Sequence, residues 1–210
     1  MAMKLAHTKN YLFLCTGFES GYTIVQVFEL GKSEWSISYV ANPHSQPVLS
    51  IDISPNLETY FTSAADSVIA KHPLHEGLEK NKASSRSTVD GCANHVITKH
   101  AGQQLVRVRS DGQIIATAGW DGRIRVYSAQ TLKELAVLVW HKQGCYAVDF
   151  ASVTCSVTLI EGEKFEQKGI LPILRSKSLR PADRRNIEAQ STHWLAAGAK
   201  DGKISLWNIY

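Results

Sequence analysis

Three stretches of the 210-residue chain superimpose as one repeated hairpin, and a repeat of this kind limits the fold more than any other feature of the sequence. Ile114 to Tyr127 reads IIATAGWDGRIRVY, Trp194 to Trp207 reads WLAAGAKDGKISLW, and Leu12 to Phe28 reads LFLCTGFESGYTIVQVF, with a few extra residues in the turn. Each has an apolar strand of small residues, a polar turn ending in Gly, and a second, alternating strand that closes on an aromatic. Asp121-Gly122 and Asp201-Gly202 suit positive φ at a hairpin tip, and the runs beside them have the two-residue period of strands. Ile124, Val126, Ile204 and Leu206 then share one side of their strands, with Arg125 and Ser205 on the other. A weaker fourth copy, Tyr60 to His72, places Asp66-Ser67 in the turn and His72 where the aromatic should be.

A histidine and a further alternating strand precede three of these hairpins. His44 precedes VLSIDIS, His100 precedes LVRVRSDG, and His141 precedes CYAVDFA. The histidine lies 28 residues before His72 in the first case, 27 before Tyr127 in the second, and 66 before Trp207 in the third. The long third spacing reads as an ordinary unit carrying an insertion.

A histidine, a strand, a turn, a second strand, an Asp-Gly hairpin and a third strand ending in an aromatic resembles the WD repeat, the four-stranded blade of a β-propeller. The sequence departs from that pattern in places. Pro43, Lys99 and Trp140 replace the glycine before the histidine, and the closing pair is Trp207-Asn208, Tyr127-Ser128 or Phe28-Glu29. The resemblance implies a buried hydrogen-bonded set of histidine, strand hydroxyl, turn aspartate and closing aromatic. That set would be His100, Thr117, Asp121 and Tyr127 in one blade. In another it would be His141, Asp201 and Trp207, with Ala197 where the hydroxyl should stand. Read in isolation, a His/Asp pair suggests a catalytic dyad; recurring once per blade, it reads as structure.

Two stretches break the rhythm. Residues 76–95 are rich in Ser, Lys and Asn and read as an inserted polar loop; residues 152–192 form a longer insertion with an expected strand over Val153 to Ile160. From Lys164 to Arg185 there are seven positive residues and two negative, whereas the whole chain carries +4, so the remainder nets −1. This basic stretch is a candidate contact for nucleic acid or an acidic partner, although Phe165 is the one aromatic in it that could stack on a base. Without the insertions, the chain holds about four blades of roughly 40 to 45 residues. These blades fall near 11–40, 44–75, 100–138 and 141–210. The expected fold is therefore an all-β WD-repeat propeller of about four blades. With a first blade that reads as open, it is expected to be the C-terminal half of a seven-bladed ring whose N-terminal part is missing.

Other features narrow the function. With 44% hydrophobic and 20% charged residues, the composition is that of a globular domain. No apolar run exceeds about seven residues, against the roughly 20 a membrane helix needs. Cys15, Cys92, Cys145 and Cys155 form no Cys-x-x-Cys pair and read as buried thiols of a reducing compartment. Cys145 with His141, and His72 with His75, lack the orienting group or third ligand that catalysis or a metal requires, so no enzyme activity, cofactor or metal is expected. Trp120, Arg123, Arg125 and Lys200 lie at or near hairpin tips and are candidate contacts to a partner protein.

ATAGWDGRIRVY (116–127), LAVLVWHKQGCYAVDF (135–150) and HWLAAGAKDGKISLWNIY (193–210) resemble the ASTRA-associated protein 1 family of fungal WD-repeat proteins and their animal relatives, the G-protein β-subunit-like WD-repeat proteins. FLCTGFESG (13–21) is similar to a hairpin in the middle of that family's propeller. The resemblance implies a nuclear, non-catalytic scaffold of the ASTRA assembly. Its protein partners would be ASTRA subunits and the Tel2, Tti1 and Tti2 co-chaperones, and its roles chromatin remodelling and the maturation of phosphatidylinositol-3-kinase-related kinases.

Overall fold

A computed structural model describes residues 1–74, 94–153, 185 and 192–209, and fifteen strands run through them. They form four antiparallel sheets in chain order. The first holds β1 (Ala2–His7), β2 (Tyr11–Gly17), β3 (Thr23–Glu29) and β4 (Glu34–Ala41). The second holds β5 (Val48–Ile53), β6 (Thr59–Ala64), β7 (Val68–Pro73) and β8 (Asn94–Ile97). The third holds β9 (Gln103–Val108), β10 (Ile114–Gly119), β11 (Arg123–Ser128) and β12 (Glu134–Val139). The fourth has three strands among the described residues: β13 (Cys145–Phe150), β14 (Trp194–Ala199) and β15 (Ile204–Asn208). The first strands of successive sheets pack on one another, β1 on β5, β5 on β9 and β9 on β13, as in consecutive propeller blades.

The first blade differs from the sequence expectation. It is not open near residue 11, because Ala2–His7 pairs along the whole of β2, from Ala2 opposite Gly17 to His7 opposite Leu12. The polar residues after His7 are its turn, closed by the Thr8 amide on the Tyr11 carbonyl at 2.8 Å. In the second blade the outer strand β8 begins at Asn94, inside the stretch expected to be loop, and pairs with β7, so this blade runs past residue 75. Most of the expected strand over Val153 to Ile160 lies outside the described residues, and Val153 itself is not in a strand.

The Asp-Gly hairpins take a particular form. Positive φ falls on Gly122 (77°) and Gly202 (73°) alone, while Asp121 and Asp201 keep ordinary φ. The Gly122 amide bonds to the Gly119 carbonyl, so Trp120 and Asp121 are the central residues of a type I turn and Gly122 takes the left-handed bulge position that follows. A Cβ on Gly122 would also lie 2.8 Å from the Gln143 carbonyl oxygen. Gly122→Ala is expected to lose about 1 to 3 kcal/mol in chemical denaturation, because positive φ and a close contact both oppose the methyl.

Three apolar cores lie between neighbouring blades. Phe13, Cys15, Val25 and Val27 of the first blade meet Val48, Ile51 and Tyr60 of the second. Phe61 and Ile69 meet Val106, Ile115 and Tyr127 of the third, and Ala116, Ile124 and Val126 meet Cys145, Val148 and Leu195 of the fourth. Polar side chains also seal the inner strands. Asp52 on β5 takes the Val108 amide of β9 at 2.8 Å and the Lys4 ammonium of β1 at 2.9 Å, so one carboxylate ties three blades.

The pattern extends to the two outermost blade faces. Ile124 in the third blade is fully buried, yet Ile204, at the same place in the fourth, is 73% exposed. On the opposite flank Met3, Leu5, Trp35 and Ile37 of the first blade are exposed. These faces have the composition of the blade–blade contacts elsewhere in the molecule.

Candidate functional site

The turns between the second and third strands of all four blades and the three connections between blades lie at one end of the antiparallel sheets, and the His and Asp residues of the repeats gather there. One strand rung organises their contacts. It pairs Leu14 with Gln26 in the first blade, Thr62 with Ala70 in the second, Thr117 with Arg125 in the third and Ala197 with Ser205 in the fourth.

The second blade carries the most complete network. His44 Nδ1 lies 3.2 Å from Asp66, His44 Nε2 is 2.8 Å from the Thr62 hydroxyl, and that hydroxyl is 3.1 Å from His72 Nε2. His72 Nδ1 then meets the Tyr39 hydroxyl of the first blade at 3.3 Å. An ionised carboxylate only accepts, so with both imidazole rings neutral every bond runs one way. Tyr39 donates to His72, His72 to Thr62, Thr62 to His44, and His44 to Asp66. Burial would raise the Asp66 carboxyl, but the bond from His44 and the amides of Val68 and Ser45 hold it below its usual range. Burial drives His72 down to about 3, so its neutral tautomer is maintained. The repeat places His72 where the closing aromatic should be; the ring indeed stacks on Tyr60, with centroids 4.6 Å apart, and also carries two hydrogen bonds.

In the fourth blade His141 Nδ1 lies 3.4 Å from Asp201, and its Nε2 lies 2.9 Å from Ser205 Oγ, which also accepts the Trp207 indole N–H at 2.9 Å. Ala197 cannot supply the hydroxyl. Ser205, directly across the rung on β15, supplies it instead, and the chain again runs one way, from Trp207 through Ser205 and His141 to Asp201.

The third blade overturns three sequence expectations, on His100, Arg125 and the Tyr127 hydroxyl. His100 is exposed and offers its carbonyl rather than its ring. Buried Gln103 takes its place, accepting the Thr117 hydroxyl at 3.0 Å. Arg125 is no surface contact: its side chain is 4% exposed and grips Asp121 with bonds of 2.6 and 3.1 Å. The pair lies over Gly119, where a Cβ would come within 2.4 Å of the Asp121 carboxylate, so a glycine is what leaves room for it. Burial would raise the Asp121 carboxyl, but the Arg125 bonds lower it. Tyr127 is buried beside them with its hydroxyl unbonded. Tyr127→Phe is therefore expected to leave stability unchanged or raise it by up to about 1 kcal/mol in thermal unfolding, because the phenol oxygen is desolvated without return.

The remaining selected residues sit at the surface of this end. Trp120 is 43% exposed, Lys200 is exposed, and Arg123 is partly exposed with Asp121 4.0 Å away. Cys145 is buried, and its thiol is pushed up to about 11, so it holds its proton at neutral pH. His75 and the basic stretch 164–184 lie outside the described residues. The His–Asp sets are unsuited to acid–base or nucleophilic work for a geometric reason. The hydroxyls they bind, on Thr62 and Ser205, are buried between blades, beyond reach of a substrate.

Comparison with known proteins agrees with this architecture. The family model for the WD domain, G-beta repeat, matches residues 91–128 and 189–208, which cover the hairpins of the third and fourth blades. The ASTRA-associated protein 1 of Verticillium alfalfae is 42% identical over the whole chain, and that of Aspergillus flavus is 44% identical, again over the whole chain. The chain belongs to the ASTRA-associated protein 1 family. It spans about half the length of these relatives, 50% in both cases. The Schizosaccharomyces pombe member is 38% identical over 68% of the chain and 39% of its own length.

Proposed function

We propose that this chain is part of a non-catalytic WD-repeat scaffold of the ASTRA complex, acting through protein–protein contacts in the nucleus. Whole-chain identity to relatives named for ASTRA association carries this reading. The geometry supports it, because the His, Asp and hydroxyl groups of a hydrolytic reading are spent on holding blades together, leaving rigid turns as the available surface. On this reading the scaffold serves chromatin remodelling and the co-chaperone-assisted maturation of phosphatidylinositol-3-kinase-related kinases.

The test is affinity purification of the tagged protein at its natural level, with quantitative mass spectrometry. ASTRA subunits and the Tel2, Tti1 and Tti2 co-chaperones are expected to be enriched over an unrelated WD-repeat control. Equal recovery in both samples would overturn the assignment.

A further inference from the structure

We infer that the end of the third and fourth blades holding Trp120 is a docking site for an acidic peptide segment with a central apolar residue; this rests on the scaffold reading and specifies its partner class. Trp120 is fixed in place yet half open. Its indole N–H donates to Gln104 Oε1 at 2.8 Å, and its backbone amide bonds to the Gly102 carbonyl at 2.8 Å. The ring packs against Gly102, where a Cβ would come within 2.1 Å of it, so only glycine at φ 82° admits this arrangement. A rigid, amphipathic ring with exposed area loses little entropy on binding and is the usual anchor of a protein contact.

The charges around Trp120 decide what it receives. On one side, Gly102 ends the connection that carries exposed Lys99. On the other, Gly144 abuts the Trp120 backbone and its carbonyl takes the Lys200 amide at 2.9 Å, which brings exposed Lys142 and Lys200 alongside. None of these three lysines has a carboxylate partner among the described residues. The acids nearest the ring are already engaged: Asp121 faces Arg125 and Arg123, and Asp201 and Asp66 accept hydrogen bonds from His141 and His44, while exposed Glu19 stands in the turn of the first blade. A ring flanked by free cations therefore remains. Each arginine of the third blade, whose fork would grip a carboxylate or a phosphate, already faces an Asp: Arg107 faces Asp149, Arg109 faces Asp111, and Arg123 and Arg125 face Asp121. Lysine point charges around an apolar ring are what remain, which suits separate carboxylates set about an apolar side chain.

The experiment uses the full-length family protein and fluorescence anisotropy with three labelled probes. The first is a panel of Asp/Glu-rich peptides centred on Phe, Leu, Trp or Met. The second is the same panel with Lys in place of Asp and Glu, and the third is single-stranded DNA of matched charge. Acidic peptides are expected to bind, and binding should weaken at least about tenfold in Trp120→Ala and in Lys142→Glu/Lys200→Glu, and also with added salt. The lysine variants change only exposed side chains, so they report on binding even if Trp120→Ala perturbs the turn. Failure of every acidic peptide to bind, equal binding to all variants, or preference for DNA would overturn the inference. Retained ASTRA subunits with no peptide binding would sink this site while leaving the scaffold reading intact.

Discussion

Arg125→Ala is expected to destabilise the protein by about 3 to 5 kcal/mol, the largest effect of any single substitution considered. The guanidinium is 4% exposed and Asp121 is 14% exposed, so removing the cation leaves a carboxylate in a blade interface without its main partner. Burial alone pushes that carboxyl upward, and the two Arg125 bonds are what reverse the shift. Urea denaturation of Arg125→Ala, Arg125→Met and Arg125→Met/Asp121→Asn measures this. The Arg125→Met single variant should be far less stable than the double variant, in which the stranded charge is also gone. A loss below about 1 kcal/mol in Arg125→Ala would show that water reaches Asp121 and that the pair is an ordinary surface bridge.

Stability is also expected to fall by about 3 kcal/mol between pH 6.5 and pH 4, at close to 1.4 kcal/mol per unit, through His72 alone. The sign follows from where the proton binds. Unfolded His72 titrates near its model value of 6.5, whereas folded His72, buried and facing His44, binds a proton only near 3. Between those values the unfolded chain holds a proton that the native chain lacks. The contribution is thus complete above about pH 6.5 and is lost progressively as pH falls towards 3. Around the ring stand His44, Tyr39 and Tyr60, with Asp66 at the end of the hydrogen-bond chain, and Asp66 protonates lower because its carboxyl is depressed. His72→Gln removes the titration, so its stability should vary less steeply than wild type from pH 6.5 to 4. Parallel profiles would contradict the neutral, buried assignment.

Much of this fold can be read from the repeats, because Asp-Gly turns and alternating strands act locally. The misreadings arise where a contact spans elements. Ala2–His7 has no β-branched residue and ends at a polar turn, so it carries little strand signal of its own. Its pairing with Tyr11–Gly17 gives it its place. His100 has the right spacing for the repeat network, yet Gln103 three residues later reaches Thr117 first. Arg125 follows the alternation expected of it, but its side of the strand is the one that the second blade covers, so it cannot serve as a surface contact. Ser205 was legible in principle: once Ala197 is seen to lack a hydroxyl, the residue across the hairpin is the nearest replacement. The Tyr39–His72 bond joins two blades and has no local signature.

All four blades share one rung, and its polar pin sits on either strand. Moving the pin in the fourth blade tests it most directly, by measuring the unfolding free energies of Ser205→Ala, Ala197→Thr and the double variant. Ser205→Ala should cost about 1 to 3 kcal/mol, because His141 and Trp207 both lose their partner. Adding Ala197→Thr should restore most of that loss by returning the hydroxyl to the strand that holds it in the second blade. A double variant no more stable than Ser205→Ala alone would show that the two rung positions are not equivalent and would contradict the shared-rung account.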